Sequence, residues 1–288
     1  MEVLSLFDGI SCGMLALQRA GIEVEQYVAY EIDKYAIKIS EKNYPEIEHC
    51  GDVTTADFTQ YTGFDLLIGG SPCQSLSIVQ SKTRLNLDGK SKLFFEYVRA
   101  KEEMQPKFFL FENVASMNDE SKKIISDLLG CEPILVDSKF FSAQQRPRYY
   151  WTNIPISPLP QECSLVLKDI MQANVEEKYF YNYPLTNIDM SKQVCAIMEF
   201  KNHQMHKRIF NPNFKCHTLT TCGGGNTQKK VLDGSRARKL TPLEYERLQT
   251  LPDNYTNCVA DGHRYSAIGN GWTVNVIAHI LKGLKAVE

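Results

Sequence analysis

Several familiar signals are missing from this chain, and each absence narrows what it can be. Nine cysteines are scattered over 288 residues without a CxxC pair or a regular spacing. The odd count and the scatter exclude a disulfide framework and a zinc site, so no metal is expected and the thiols are expected to be reduced. No apolar run reaches the roughly 20 residues that cross a bilayer, which leaves no membrane partner to expect. The start, Met1-Glu2-Val3-Leu4-Ser5-Leu6-Phe7, enters a strand without a leader, and an intracellular, cytoplasmic protein is expected. Internal repeats, low-complexity tracts and a full GxGxxG fingerprint are also absent. Charge of one sign is lacking too, since the formal net charge is -2.

That average hides an uneven distribution. Between residues 201 and 239 stand Lys201, Lys207, Arg208, Lys215, Lys229, Lys230, Arg236, Arg238 and Lys239 against the single acid Asp233. A basic segment beside an acidic body suits a polyanion-binding module, or else a solvated lysine-rich face.

What is present is an alternation of short apolar strands and helical stretches, which predicts an α/β fold with a doubly wound, mostly parallel sheet. Strands are expected at 2–6, 26–30, 47–50, 64–68, 107–111, 134–137 and 149–151. Helices are expected at 14–20, 34–42, 93–104 and 120–129. The first helix closes at Gly21, a left-handed cap. After Pro155, Pro158 and Pro160 the alternation stops. Three parts are therefore expected: a main domain over 1–155, a smaller irregular domain over 156–261, and a segment over 262–288 that returns to the main domain. Within the irregular part, Thr241-Pro242-Leu243-Glu244 spells a capping box opening a helix. A further helix is expected at 274–284.

Three features carry chemistry. The turn Gly69-Gly70-Ser71-Pro72-Cys73-Gln74-Ser75 lifts Cys73 out at a strand's carboxyl end, where a substrate can reach it. Spacing alone favours a packed structural thiol there. The turn Asp8-Gly9-Ile10-Ser11-Cys12-Gly13, with Glu31 placed 22 residues after Gly9, suits the ribose of an adenosine-containing cofactor, or a glycine turn with no ligand. Asp8 would repel a pyrophosphate, which favours S-adenosylmethionine over a dinucleotide. The strand-end acids Asp52 and Glu112 share that sheet edge. Glu112 follows so apolar a run that it is expected to donate a hydrogen bond to a ring nitrogen.

Phe7-Asp8-Gly9, Gly70-Ser71-Pro72-Cys73, Phe111-Glu112-Asn113-Val114, Gln145-Arg146-Pro147-Arg148-Tyr149, Arg247-Leu248-Gln249 and Gly269-Asn270-Gly271-Trp272-Thr273-Val274 occur in that order. In this the chain resembles the cytosine-5 DNA methyltransferases. Leu93-Phe94-Phe95-Glu96 and Tyr149-Tyr150-Trp151 look like the catalytic domain of the de novo branch in compact form.

The resemblance implies a Rossmann-like methyltransferase domain and a target-recognition domain. It implies methyl transfer from S-adenosylmethionine to carbon 5 of a flipped-out cytosine in double-stranded DNA. Catalytic roles fall to Cys73 as nucleophile, Glu112 at the ring nitrogen, and Arg146 with Arg148 at the base carbonyl and a phosphate. Phe7, Asp8, Gly9, Glu31, Ile32, Asp52, Val53, Pro72, Asn270 and Trp272 would hold the cofactor. Ser75, Val79, Gln80 and Arg84 would meet DNA from a loop over 76–90 that closes on the duplex, with Val79 or Gln80 filling the vacated space. Thr220, Asn226, Gln228, Lys229 and Lys230 would meet it from the recognition domain, while Asn113 orients the loop's backbone. The resemblance places the protein, if prokaryotic, with nucleoid or phage DNA, as a monomer or weak homodimer, and admits a companion restriction enzyme. Two alternatives share the resemblance. Transfer-RNA methyltransferases carry a Cys-Phe-Thr element that is absent here, and catalytically silent DNA-binding partners lose the cysteine or the glutamate, which both stand here. An NAD-dependent oxidoreductase would need a fuller glycine fingerprint.

Overall fold

A computed structural model of the chain describes residues 1–72, 92–222 and 226–286. Cys73, Ser75, Val79, Gln80, Arg84 and the loop over 76–90 lie outside the described residues, as do Gly223 to Gly225. The chain divides into two compact units. One comprises Met1–Val136, Pro147–Pro158 and Asn275–Glu288; the other comprises Asp137–Arg146 and Leu159–Val274.

The first unit is built on strands β1 (Glu2–Leu6), β2 (Gln26–Tyr30), β3 (Glu48–His49), β4 (Leu66–Gly69), β5 (Phe108–Val114) and β6 (Ile134–Asp137). After β7 (Gln144–Gln145), which belongs to the second unit, β8 (Pro147–Thr152) completes a sheet of order β3-β2-β1-β4-β5-β8-β6. The pairs β2/β3, β1/β2, β1/β4 and β4/β5 are parallel and β5/β8 is antiparallel. Strands covered on both faces need near-continuous apolar runs, which Val3-Leu4 and Leu66-Leu67-Ile68 supply at 0 % exposure. The helices are α1 (Cys12–Ala20), α2 (Lys34–Asn43), α3 (Lys92–Met104) and α4 (Asp119–Leu129). Gly21 caps α1 in the left-handed region at φ 69°, as the sequence predicts. Phe111 sits among Tyr97, Phe94 and Trp151, with ring centroids 4.8, 5.2 and 5.9 Å away. Burying each such ring stabilises the sheet by about 1.5–3 kcal/mol. Two glycines let elements approach closely. A Cβ on Gly13 would stand 2.4 Å from Ile68 Cδ1, and one on Gly69 would stand 2.8 Å from the Leu6 carbonyl.

The second unit is less regular. After the short helices α5 (Leu167–Ile170) and α6 (Gln204–Lys207) come α7 (Pro242–Leu248) and α8 (Asp261–Asn270); α9 (Val274–Leu281) follows them in the chain. Strands β9 (Leu185–Thr186), β10 (Val194–Met198), β11 (Arg208–Phe210), β13 (Lys230–Asp233) and β14 (Arg236–Lys239) form a sheet of order β14-β13-β11-β10-β9, and β12 (Cys216–His217) pairs with β7. Thr241 caps α7 with the reciprocal Glu244 contact that the capping box predicts.

The division differs from the expected one in three places, the least of them a shift of the boundary from Pro155 to Pro158. Residues 137–146 join the second unit because Gln144 and Gln145 pair with Cys216 and His217. The chain returns to the first unit at Asn275, not at 262, because α8 is fastened within the second. Tyr265 OH donates to the Leu240 carbonyl at 2.7 Å, and Gln249 Nε2 donates to the carbonyls of Ile268 and Gly271 at 3.0 and 2.8 Å. Among the described residues no helix is long and apolar enough to cross a membrane.

Candidate active site

In the first unit the strand order reverses between β1 and β4, and ligands of open α/β sheets bind beyond the carboxyl ends of strands at such a point. The turn leaving β1 is tightly shaped. Phe7, Gly9 and Ser11 all take left-handed conformations, at φ 58°, 62° and 57°. For the two non-glycine residues this costs roughly 1–2 kcal/mol each, and the carboxylate of Asp8 offsets it. That carboxylate accepts from Ser5 Oγ at 2.6 Å, Tyr27 OH at 2.7 Å and Ser11 Oγ at 2.5 Å. The Asp8 carboxylate is therefore spent on holding the turn. The Gly9 N–H donates to Glu31 Oε2 at 2.8 Å, while Glu31 Oε1 accepts from the N–H groups of Ile32 and Asp33 at 2.8 Å each. Burial pushes the Glu31 carboxyl above its ordinary range even though three amides favour its ionised form.

Beside Glu31, the apolar side chain of Ile32 is 74 % exposed. Asp52, beyond β3, accepts from the N–H and hydroxyl of Thr54 through Oδ1, both at 2.9 Å. Val53 is buried in the core, so only its backbone can meet a ligand. An uncovered aliphatic side chain flanked by carboxylates fits a neutral ring carrying hydroxyls and amines. It does not fit a phosphate. Pro72 is exposed at the end of the described segment.

On β5, the expected end at Phe111 is overrun. The strand continues to Val114 because Glu112, Asn113 and Val114 pair with Tyr150, Tyr149 and Arg148 of β8. Glu112 and Arg148 thus stand on one face as a diagonal pair, and Arg148 Nε donates to Glu112 Oε1 at 2.9 Å. Each side chain is 13 % exposed. The apolar setting expected for Glu112 is accordingly replaced by a guanidinium, which fixes the carboxylate's orientation. Asn113 Nδ2 donates to the Ser71 carbonyl at 3.3 Å, two residues before Cys73. The loop over 76–90 that Asn113 is expected to orient lies outside the described residues.

The two arginines expected to act together part company. Arg146, only 4 % exposed, belongs to the second unit and donates to the carbonyls of Leu219, Gly269 and Gly271 at 3.0, 2.9 and 3.0 Å. Its guanidinium holds backbone there, a role that replaces the expected contact with base or phosphate. Asn270 and Trp272 also fall in the second unit, Asn270 as the last residue of α8. Sequence reasoning missed Gln249 as an organising residue. Fully buried, it accepts from Gln144 and Thr273 while donating to two carbonyls. A glutamine just past a helix rich in apolar residues was the available signal.

The basic segment is not all surface, since Lys215, Lys230 and Arg238 are buried. Lys230 is 1 % exposed, with Nζ on the carbonyls of Asn226 and Gln228 at 2.6 and 2.9 Å, and so cannot grip a phosphate. Lys215 is buried on the carbonyls of Ser142, Cys163 and Leu165, and Arg238 is buried against Asp233 and Glu244. Arg236 pairs with Glu177 at 2.5 Å. Thr220 and Asn226 are exposed and Gln228 and Lys229 half-buried, so these four remain accessible.

The strained turn and the oriented glutamate thus lie on the carboxyl edge of a reversed α/β sheet, the place where such sheets bind ligands. The family model of C-5 cytosine-specific DNA methylases matches residues 1–286, and the chain belongs to that family. It is 33 % identical to the orphan methyltransferase M.SPRI of Bacillus phage SPR over 70 % of this chain and 49 % of that protein. The chain thus spans about half the length of that relative. It is 26 % identical to the orphan methyltransferase M.SPBetaI of Bacillus phage SPbeta, covering 96 % of this chain and 82 % of that one. Among solved structures, the Entamoeba histolytica methyltransferase EhMeth superposes with a TM-score of 0.78 at 18 % identity, over 100 % of this chain and 99 % of that one, a likeness of fold.

Proposed function

We propose that the chain methylates carbon 5 of cytosine in double-stranded DNA, using S-adenosylmethionine and a transient covalent bond to Cys73. The oriented Glu112–Arg148 pair on the carboxyl edge carries this reading, because a carboxylate held by a guanidinium is poised to engage a planar, hydrogen-bonding ring. The cofactor supplies its sulfonium methyl group. Its adenosine would lie on Ile32, with the ribose hydroxyls toward Glu31 and the base amine toward Asp52. The turn held by Asp8 would set the depth of that seat.

The target base must leave the duplex to reach Cys73. The thiolate then bonds to carbon 6, and the electron pair displaced from the ring's 5,6 bond makes carbon 5 nucleophilic toward the methyl group. Glu112 engages the ring nitrogen beside the exocyclic amine through a proton shared between them, which offsets the negative charge that develops there. Arg148 holds Glu112 in line for this contact. Loss of the carbon-5 proton to a base restores the double bond and expels the cysteine as thiolate. Asn113 keeps the backbone ahead of Cys73 in place through the Ser71 carbonyl.

Labelled S-adenosylmethionine, incubated with the protein and duplex DNA and in parallel with transfer RNA, tests the reading. Label is expected in DNA. Transfer to RNA alone, or to neither, overturns it. Cys73→Ala is expected to abolish transfer while leaving the thermal transition in place, and retained activity would remove the nucleophile assigned here.

A further inference from the structure

Asp52 opens the short helical turn Val53–Thr55, and the turn is built on it. Its Oδ1 is taken by the N–H and hydroxyl of Thr54, and its carbonyl accepts from the Thr55 N–H at 3.3 Å and the Thr55 hydroxyl at 3.0 Å. Among the described residues Oδ2 has no partner, so it is the oxygen left for a ligand. With one oxygen tied into the turn, the direction of the other follows the turn.

Arg99, on α3, reaches across to that turn. Its Nη2 donates to the Val53 carbonyl at 3.3 Å, and its Nη1 donates at 2.9 Å to the carbonyl of Ala56, the residue that closes the turn. The guanidinium is itself held by two acids of its own helix. Nε donates to Glu96 Oε2 at 2.8 Å and Nη1 to Glu103 Oε2 at 3.2 Å, while the plane lies 4.4 Å from the ring centroid of Phe58. Glu103 Oε2 also accepts from the Phe58 N–H at 3.1 Å. One planar fork thus joins α3 to both ends of the turn.

Stability does not account for this arrangement. Val53, Phe58 and Tyr61 are buried, so the segment is anchored in the core without the arginine. The Val53 carbonyl already accepts from the Ala56 N–H at 3.3 Å, and needs no second donor. The side chains of Arg99, Glu96 and Glu103 are 32, 19 and 30 % exposed, and ion pairs this open to water contribute little to folding. What the fork supplies is direction, since a guanidinium meets two carbonyls at fixed angles where an ammonium makes a point contact.

We propose that Arg99 is a positioning residue for the cofactor. It fixes the turn that aims Asp52 Oδ2 at the amine of the adenine ring, and Glu96 and Glu103 hold its guanidinium in plane. This rests on the cofactor reading above, in which Asp52 takes that amine.

Calorimetric titration with S-adenosylhomocysteine, the demethylated product of the cofactor, reads affinity without turnover, and steady-state methylation reads the KM for each substrate separately. Arg99→Met is expected to weaken cofactor binding about tenfold, the scale of one misdirected hydrogen bond to a charged group. The cofactor KM should rise in step, while kcat at saturating cofactor and the KM for DNA change by less than about twofold. Arg99→Lys keeps the charge without the fork and should recover little of the loss. Added to Asp52→Ala, Arg99→Met should weaken binding no further, because the group it aims is gone.

Unchanged cofactor affinity in Arg99→Met, additive losses in the double variant, or a fall in kcat that outweighs the change in KM overturns the proposal. Should Arg99→Met fail to fold, Arg99→Lys decides, since an affinity equal to that of the unaltered protein would show that charge alone suffices. An Asp52→Ala protein that binds as before removes the contact on which both readings rest. If the unaltered protein binds no S-adenosylhomocysteine, the cofactor reading fails as well; if it binds and the Arg99 variants bind equally well, this inference fails alone.

Discussion

The two units solve the same problem with different materials. Every buried carbonyl and amide needs a partner, and in the first unit parallel strands and four full helices supply nearly all of them. Side chains at the sheet edge are left to face a ligand or to shape a turn, as Glu31, Asp52 and the Glu112–Arg148 pair do. The second unit has strands of two to five residues and long irregular connections, and there cations do the backbone's work. Arg146 holds three carbonyls, Lys215 three and Lys230 two. A run of lysines and arginines in an irregular segment is therefore as much a sign of interior scaffolding as of a nucleic-acid surface.

Exchanging the neighbouring arginines breaks this contrast most sharply. Arg146→Ala orphans three buried carbonyls and is expected to destabilise the second unit by about 3–5 kcal/mol, read by denaturant unfolding. Arg148→Ala should cost less, about 1–3 kcal/mol, since it unpairs a single carboxylate that keeps some exposure, while lowering methylation about a hundred- to a thousandfold, the scale of losing one oriented electrostatic group. If the two variants behaved alike, the division of labour between them would be wrong. A smaller effect is expected of Lys215→Met, about 2–3 kcal/mol in stability, with the methylated motif unchanged. An altered motif would move Lys215 from scaffold to surface.

The smallest effect concerns pH. Because the folded Lys230 titrates near 8 and the unfolded chain near the ordinary lysine value, the unfolded state binds more protons between the two. Stability from this group accordingly rises with pH through that window and falls away as pH drops through 8. Urea unfolding at pH 7.5 and 9.5 should show the protein gaining on Lys230→Met at the higher pH. A constant difference would mean that Lys230 titrates as an exposed lysine.

How legible all this was in the sequence follows the same contrast. β1, β2 and β6 stand where their apolar runs predict them, and the Thr241 capping box is realised atom for atom, because both signals are local. Glu112 reads as a strand-end residue since the apolar run stops at Phe111, but pairing with β8, a non-local event, carries the strand on. α8 has no hydrophobic period and carries Gly262 and Gly269, so nothing local announces it. Gly269 is required by the Thr220 carbonyl, 2.4 Å from where a Cβ would lie. Lys230 and Arg238 read as surface charges because burial of a cation depends on which carbonyls and carboxylates the fold brings to it, and composition carries no trace of that.

The ladder between β5 and β8 has a last consequence, for how such a chain can lengthen. With Val114 opposite Arg148 and Glu112 opposite Tyr150, one residue added or lost between Arg148 and Tyr150 would turn Arg148 to the other face of the sheet. The stretch from Met117 to Gln145 is under no such restraint from this pair. A residue added in the loops of that stretch leaves the pair in register, whereas the spacing from Arg148 to Tyr150 is a gauge that allows no change.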